Sequence, residues 1–517
     1  MGKICVIFLY KNNFLLYNIK DIGGLRFMEL KTLLSGMVNF KVKGDINIDI
    51  KNIESNSKKI TANSLFIAIK GYDFDGHKFV EEAIKNGATA VMLDMGADLK
   101  GIKIPANVTI IITDDTRKAL AICSSNFYGN PSKKLKLIGV TGTKGKTTTT
   151  YMIKSILEAQ GYKVGLIGTI ENYAGEDSLG KATRTTPESL ELQKLFYQMA
   201  KENVDYVVME VSSQSLKLNR VYGLEFEIGI FTNFYKDHIS LKEHSDMEDY
   251  FNSKLKLFPM CKKGFVNFDD FKGMKVKSSC KNCDIKTYAI NNEANLLAKD
   301  ITITNVSVDF KVKLNNKNER IKINIPGRFS VYNALAAISV ANELKIPTEK
   351  IKEGLENISV PGRSELVPNN KELAIMIDYA HTPESLENIL QAVKTYTKGR
   401  VICVFGCGGD RDKTKRPLMG EVSGRVADFS IVTTDNPRTE SPEDIIAGIE
   451  EGIAKTKGRY KVIVDRKEAI GEAIRMMNKN DIVVLAGKGH EPYQEINGEK
   501  LPFDERIIVK EFLEEKK

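Results

Sequence analysis

No stretch of this sequence is long and apolar enough to span a bilayer as a helix, which takes about 20 consecutive apolar residues, so no membrane-spanning helix is expected. Nor is a secretory leader expected from the first residues. Residues 4–10 and 14–17 are apolar, but Lys11, Asn12 and Asn13 interrupt them, and no unbroken apolar region with small residues after it follows. Cysteine is sparse. The seven present are odd in number and scattered, which excludes a disulfide framework and points to a reducing, cytoplasmic setting. Cys280 and Cys283 form one CxxC with no second pair at zinc-finger spacing, so a structural role is favoured over metal or redox use. The short basic clusters, such as Lys133-Lys134, lack the interleaved aromatics of an RNA-binding surface. Repeats and low-complexity tracts are missing as well.

What is present is an ordinary globular composition, 42% hydrophobic and 28% charged, over 517 residues. That length implies roughly two to four domains. The net charge of +9 suits substrates carrying several phosphates or carboxylates. Residues 1–27 read as an extension or start-site artefact before a natural domain start at Met28. Strands are expected at 64–69 and 88–93 around a helix at 77–86, with a linker at Asn130-Pro131-Ser132. Next come a strand at 135–140, a Gly-rich loop, and a helix at 146–160 closed by Gly161. Further buried strands are expected at 164–167, 206–209 and 228–231, then alternating strands over 287–325 and an Ala-rich helix at 329–344. A last section has strands at 373–377, 401–405, 429–433, 461–464 and 482–485 separated by helices. The expected fold class is α/β in three domains: a smaller N-terminal α/β domain at 28–133, a central P-loop-type domain with a mostly parallel sheet at 134–360, and a Rossmann-like domain at 361–517.

The chemistry starts at Thr141-Gly142-Thr143-Lys144-Gly145-Lys146-Thr147-Thr148. Between a strand and a helix, glycines let backbone N–H groups approach phosphate oxygens, and the helix N-terminus adds a favourable dipole. Lys146 would neutralise the β/γ-phosphates and Thr147 would hold magnesium. The spacing is not the full Walker A pattern, which would place Gly at Val140. Downstream, Ser245-x-x-Glu248 is a capping box that should open a helix, with Met247, Tyr250, Phe251 and Phe258 as its apolar stripe. Lys254 falls on that stripe, where a lysine ordinarily snorkels outward.

The shortened loop TGTKGKTT resembles that of the Mur ligases, whose familiar version has Asn in place of Lys144. Also similar to that family are Glu210-Val-Ser-Ser213, Thr232-Asn233, Asp237-His238, Tyr332-Asn333-Ala334, Asp378-Tyr-Ala-His381-Thr-Pro383 and Gly406-Cys-Gly-Gly-Asp-Arg411. They occur in the family's order from Met28 nearly to the C-terminus, and the ordered set is far more specific than any single motif. The resemblance implies an ATP-dependent ligase. A carboxylate is phosphorylated by ATP with Mg2+, and an amine attacks the acyl phosphate. It also implies ATP contacts from Thr141 through Thr148, Asn333, Asp378 and His381, and magnesium held by Thr147, Glu210, His238 and a carboxylated Lys254. Catalytic roles would fall to Lys146, Glu210, Lys254, His238 and His381. For Glu210, at the end of an apolar strand, the alternative is a carboxylate capping the next turn. His381 is open between base for the amine and contact to the nucleotide.

Within the family, Asp435-Asn436-Pro437-Arg438 and Gly487-Lys-Gly-His-Glu491 resemble the amino-acid pocket of the branch that adds the third residue. The resemblance implies addition of meso-diaminopimelate to UDP-N-acetylmuramoyl-L-alanyl-D-glutamate, in peptidoglycan precursor synthesis. Arg411 and Arg438 would bind the distal carboxylate, for which a guanidinium fork is well shaped, and Asp435, Asn436, Pro437, Gly487 and Glu491 would complete the pocket. For Arg438 the alternative is a loop cation before the helix opening at Ser441-Pro442. Ser57, Thr185, Thr186, Ser212 and Arg220 are the expected contacts to the UDP-muramoyl-peptide. Asn56-Ser57-Lys58 stands where the family shows Asp-Ser-Arg, Gln214 where His is usual, and Leu218 where Gln is common. The partners expected are these small molecules, for a monomeric chain. L-lysine or another diamino acid is the alternative amine, and a nucleotide-binding regulator without ligase activity is the alternative of another class.

Overall fold

A computed structural model describes residues 20–22, 25–237, 239–240, 243–356, 358–369 and 373–516. His238 and most of the expected N-terminal extension, including Cys5, lie outside the described residues. The chain divides into two compact units, Met1–Lys146 with Gly161–Lys286, and Thr147–Gln160 with Thr287–Lys517.

In the first unit a five-stranded sheet comes first. Its order is Phe40–Lys43, Thr109–Thr113, Ala88–Asp94, Ser64–Ile67 and Asn52–Glu54, parallel except at the first pair. The helix expected at 77–86 is present in two pieces, a 3-10 turn at Gly76–Phe79 and an α-helix at Val80–Lys85. Asp75 caps the first piece by accepting from the His77 backbone N–H. A second sheet carries the parallel strands Val164–Ile167, Tyr206–Glu210, Lys136–Thr141, Phe226–Phe231 and Cys261–Asn267 side by side. All five residues of Tyr206–Glu210 are buried, as expected of a central parallel strand covered on both faces. An antiparallel hairpin, Glu171–Ala174 and Asp177–Lys181, extends this sheet beside Val164–Ile167. The helix expected from the capping box runs Met247–Leu255, but its cap is Asp246 rather than Ser245. The Asp246 carboxylate accepts from the N–H groups of both Glu248 and Asp249, which a single serine hydroxyl does less well.

The second unit contains the helix Lys146–Ala159 (its first residue apart), the antiparallel strands Leu296–Ile303, Val308–Leu314 and Lys317–Ile323, and the Ala-rich helix Arg328–Glu343. Its six-stranded sheet has the order Glu365–Leu366, Ala374–Asp378, Ile482–Ala486, Val401–Phe405, Phe429–Val432 and Tyr460–Val462. Only the first pairing is antiparallel. Helices between successive parallel strands give the Rossmann-like pattern, with apolar cores on both faces. Among the described residues no helix is long and apolar enough to cross a membrane.

Candidate functional site

The strand Lys136–Thr141 ends at Gly142, whose φ is +150°, and Gly145 follows at +83°. A side chain on Gly142 would collide with the Thr232 hydroxyl, so the loop is as tight as glycine permits. Thr232 and Asn233, at the end of the neighbouring strand, hold it in shape. Asn233 Oδ1 accepts from Lys144 N (2.8 Å), its carbonyl accepts from Thr143 N (3.0 Å), and Thr232 Oγ1 donates to the Lys144 carbonyl (2.7 Å). Tyr250 Oη donates to Thr143 Oγ1 at 3.1 Å. Lys146 Nζ lies 2.9 Å from the Gly142 carbonyl and 3.0 Å from that of Thr143.

Lys254 reaches the same place from its helix. Its side chain does not snorkel: the residue is 1% exposed, with Nζ 2.8 Å from the Gly142 carbonyl and 4.4 Å from the centroid of the Tyr250 ring. Burial, and then the positive charge of Lys146, push its pKa well below the ordinary lysine range against the pull of Asp237. Glu210 ends its strand 1% exposed, and its Oε1 accepts from Thr169 N at 2.9 Å. A Cβ at Gly168 would stand 2.6 Å from that oxygen, so the glycine makes room for the carboxylate.

Thr185, Thr186, Ser212 and Arg220 line a cavity of about 250 Å3 together with Lys146, Lys254 and Arg184. Thr186 Oγ1 donates to the Glu210 carbonyl (2.8 Å) and accepts from Ser212 N (3.0 Å). Arg220 is held by the Thr186 carbonyl (3.1 Å) and, as an ion pair, by Glu188 (3.0 Å), which also binds Arg184 (2.8 Å). Ser57 is not among these residues; its hydroxyl donates to Glu82 at 2.6 Å in the N-terminal sheet region. Sequence reasoning missed His244, which lines the cavity buried, with Nδ1 3.2 Å from Asp249 and Nε2 3.0 Å from Ser213 Oγ. Burial lowers its pKa, against the pull of Asp249. His244 left no local signal in the sequence.

In the second unit Thr147 and Thr148 are buried in the first turn of the helix that the loop opens. Thr149 Oγ1 lies 3.4 Å from Asn333 Oδ1, which places Asn333 against that helix. The remaining expected residues sit beyond the carboxyl ends of adjacent parallel strands, the usual place for ligands in such sheets. Asp378 is half-buried at the end of its strand, its carboxylate accepting from Ser364 N (2.8 Å) and Ala380 N (2.9 Å), and the protein packed around it raises its pKa. His381 Nδ1 donates to the Tyr379 carbonyl (2.9 Å), leaving Nε2 as the acceptor. The ring has an accessible edge, yet the protein crowded around it lowers its pKa, with Lys415 and Arg363 adding to the effect.

Asn436 donates through Nδ2 to Glu491 Oε2 (2.9 Å) and accepts at Oδ1 from Lys488 Nζ (2.9 Å) and Glu495 N (2.9 Å). Arg438 adopts φ +54° and donates to Glu495 (Nε, 3.1 Å) and to the Gly409 carbonyl (Nη1, 2.8 Å). Gly487, at φ +115°, has no room for a side chain, since a Cβ would lie 2.5 Å from Asp435 Oδ2. Pro437 backs onto Gly409, where its carbonyl excludes a Cβ. Arg411 stays exposed, with Nη1 3.3 Å from the neighbouring Asp410 carbonyl. A separate groove of about 560 Å3 touches Pro437 and Arg438 but none of Arg411, Asn436, Gly487 or Glu491, so it is not the pocket those motifs build.

Comparison with known proteins decides the family. The Mur ligase middle domain matches residues 140–341, the Mur ligase glutamate ligase domain 362–489, and the Mur ligase family catalytic domain 49–128. The chain belongs to the Mur ligase family. Among its Mur ligase relatives is the UDP-N-acetylmuramoyl-L-alanyl-D-glutamate–2,6-diaminopimelate ligase of Caldanaerobacter subterraneus subsp. tengcongensis, 52% identical over 94% of this chain and 99% of the relative. A ligase of the same name, number 1 of Clostridium acetobutylicum, is 47% identical over 94% of this chain and 100% of the relative. A solved structure of a ligase so named superposes with a TM-score of 0.68 at 29% identity, covering 94% of this chain and 99% of that one. The Mur ligase fold is shared further by a MurF ligase from Thermotoga maritima solved in complex with ADP, at 18% identity and TM-score 0.55, covering 90% and 97% of the two chains.

Proposed function

We infer that this Mur ligase is a cytoplasmic enzyme that uses ATP to add meso-diaminopimelate to UDP-N-acetylmuramoyl-L-alanyl-D-glutamate. The observation that carries the choice of amino acid is the assembly of Asn436, Arg438, Gly487 and Glu491 on a chain about half identical to ligases named for that substrate. The substrate segments are proposed as 28–133 for the UDP end, 134–360 for ATP, and 361–517 for the amino acid.

A carboxylate oxygen of the dipeptide attacks the γ-phosphorus of ATP, the bond to the bridging oxygen breaks, and ADP leaves. The amine then attacks the acyl carbon, a proton is lost from nitrogen, and the C–O bond to phosphate breaks. Lys146 holds phosphate oxygens at the loop, where N–H groups and the following helix add to its charge. Thr185, Thr186, Ser212 and Arg220 orient the dipeptide, and Arg220 meets its negative charge. Magnesium fits the residues present. Glu210 is a buried carboxylate, and Lys254 is buried with its amine driven towards the neutral form. A neutral amine adds to CO2 with loss of a proton, giving a carbamate anion. Glu210, carboxylated Lys254 and, by sequence position, Thr147 and His238 would hold the ion, which when bound offsets charge on phosphate oxygens. His381, with Nδ1 tied to the Tyr379 carbonyl and its pKa lowered, would serve through Nε2 as base for the amine or as a contact to the nucleotide.

Phosphate release assayed with the nucleotide-dipeptide and a panel of amines tests the reading. Release is expected only when ATP, dipeptide and diaminopimelate are all present, and Lys146→Ala should abolish it. Equal or better turnover with L-lysine would defeat the amino-acid assignment. Release that ignores both acceptor and amine would point to a regulator.

A further inference from the structure

Lys488 lies between the two glycines of the Gly487–Glu491 motif and is 0% exposed. No role in the reaction described above uses it. Its ammonium lies 2.9 Å from Asn436 Oδ1 and 3.6 Å from Asp435 Oδ1, with the rings of Phe503 and Tyr493 at 5.8 and 5.9 Å. A buried ammonium has only donors to offer, so it dictates which end of the Asn436 amide faces it. Glu495 N makes the same demand from the hairpin strand Tyr493–Ile496, again at 2.9 Å. With two donors on Oδ1, the opposite orientation would set the amide NH2 against an ammonium and an N–H. The amide therefore turns Nδ2 outwards, where it meets Glu491 Oε2 at 2.9 Å. Oε1 of Glu491 lies outside that contact and would be the oxygen offered to a ligand's ammonium.

The hairpin strand that supplies Glu495 N also supplies the Glu495 carboxylate that grips Arg438 Nε. Asn436 therefore links Glu491 to the residue that holds Arg438. Glu491 offers negative charge to an amine, and Arg438 offers positive charge to a carboxylate. We propose that Lys488 is a positioning residue for amino-acid selection, setting the Glu491 carboxylate through the orientation of the Asn436 amide. The inference rests on the ligase reading above and goes beyond it, because Lys488 need not touch the substrate.

The test is a kinetic cycle on the full-length enzyme with Lys488→Met, Glu491→Gln and the double variant, reading KM for diaminopimelate, KM for ATP and kcat separately. Lys488→Met should raise KM for diaminopimelate about tenfold or more, the scale of a lost charged hydrogen bond, with KM for ATP unmoved. In the Glu491→Gln background the same change should cost less than about threefold, because the two residues act on one contact. A KM for diaminopimelate within twofold of wild type, or effects that add in full, would overturn the proposal. If Lys488→Met does not fold, Asn436→Asp decides. Nearly isosteric, it keeps an acceptor for Lys488 but sets a carboxylate against Glu491, and an unchanged KM for diaminopimelate would again overturn it. If wild type releases no phosphate in response to diaminopimelate, the ligase reading itself falls, and this inference with it.

Discussion

Replacing Arg438 by lysine isolates what its guanidinium contributes. The residue sits at φ +54°, a region that costs any non-glycine residue about 1–2 kcal/mol, and lysine bears the same backbone cost. Both side chains are cationic, so net charge is conserved. What changes is geometry. Arg438 spends Nε on Glu495 and one hydrogen of Nη1 on the Gly409 carbonyl, which locks the plane of the fork and leaves its remaining N–H groups for a ligand carboxylate. A lysine ammonium cannot hold both anchors and present a planar pair.

Losing one charge-assisted hydrogen bond is worth about 1.5–3 kcal/mol, and each 1.36 kcal/mol is tenfold in rate. Arg438→Lys should therefore lower kcat/KM for diaminopimelate roughly 10- to 150-fold. For L-lysine, which has no distal carboxylate, kcat/KM should change by less than about threefold, the scale of a contact that is not made. The assay is coupled phosphate release with each amine at saturating ATP and dipeptide. An equal loss for both amines would show that the variant damages the loop rather than recognition. No loss for diaminopimelate would show that Arg438 is the loop cation before the helix Pro442–Ile453, and the carboxylate assignment would fail.

Three further outcomes are expected. Arg466 and Glu505 are almost wholly buried and paired at 2.8 Å, so Glu505→Ala, which strands the arginine, should cost about 3–5 kcal/mol and lower the melting temperature by roughly 6–20 °C; an unchanged melt would refute that estimate. His381 has its pKa lowered from the ordinary histidine value of 6.5, so its neutral form, present above the folded pKa, persists as pH falls through 6.5. The acidic limb of kcat should therefore lie below pH 6.5 and disappear in His381→Asn if the ring is the base, whereas a raised KM for ATP with the limb intact would assign it to the nucleotide. Lys254, buried and depressed in pKa, should exchange its carbamate with dissolved CO2. Activity should fall in CO2-depleted buffer and return with bicarbonate, while indifference to CO2 would sink the carboxylation.

Local pattern made most of the scaffold legible. The helix expected at 146–160 is Lys146–Ala159, and the strand at 206–209 is Tyr206–Glu210, because apolar period and glycine punctuation are properties of short windows. The hairpin Glu171–Lys181 was not anticipated; half of it is exposed and polar, so it carries no apolar alternation to read. The cap moved from Ser245 to Asp246 because the two positions are both good formers and only geometry separates them. Motifs brought the loop, Glu210 and Lys254 into view, but not what shapes them. His244 meets Ser213 across 31 positions, and Lys488 meets Asn436 across 52. Such pairings are made by the order of strands in a sheet, and one sequence holds no local trace of them.

The charge balance around Gly142 gives Lys146 and Lys254 different tasks. Both ammonium groups converge on one carbonyl oxygen, which cannot neutralise either. Arg184 and Arg220, on the same cavity, already share Glu188, so their charge is partly met before any ligand arrives. Two positive charges therefore meet at the loop. Two like charges in a site of low dielectric repel strongly, and Lys254, the more buried of the pair, is the one driven towards the neutral amine. Carboxylating that amine would set an anion beside Lys146 and change repulsion into attraction. Lys146 would then keep its charge for phosphate, and Lys254 would join Glu210 as an oxygen ligand for the cation proposed above.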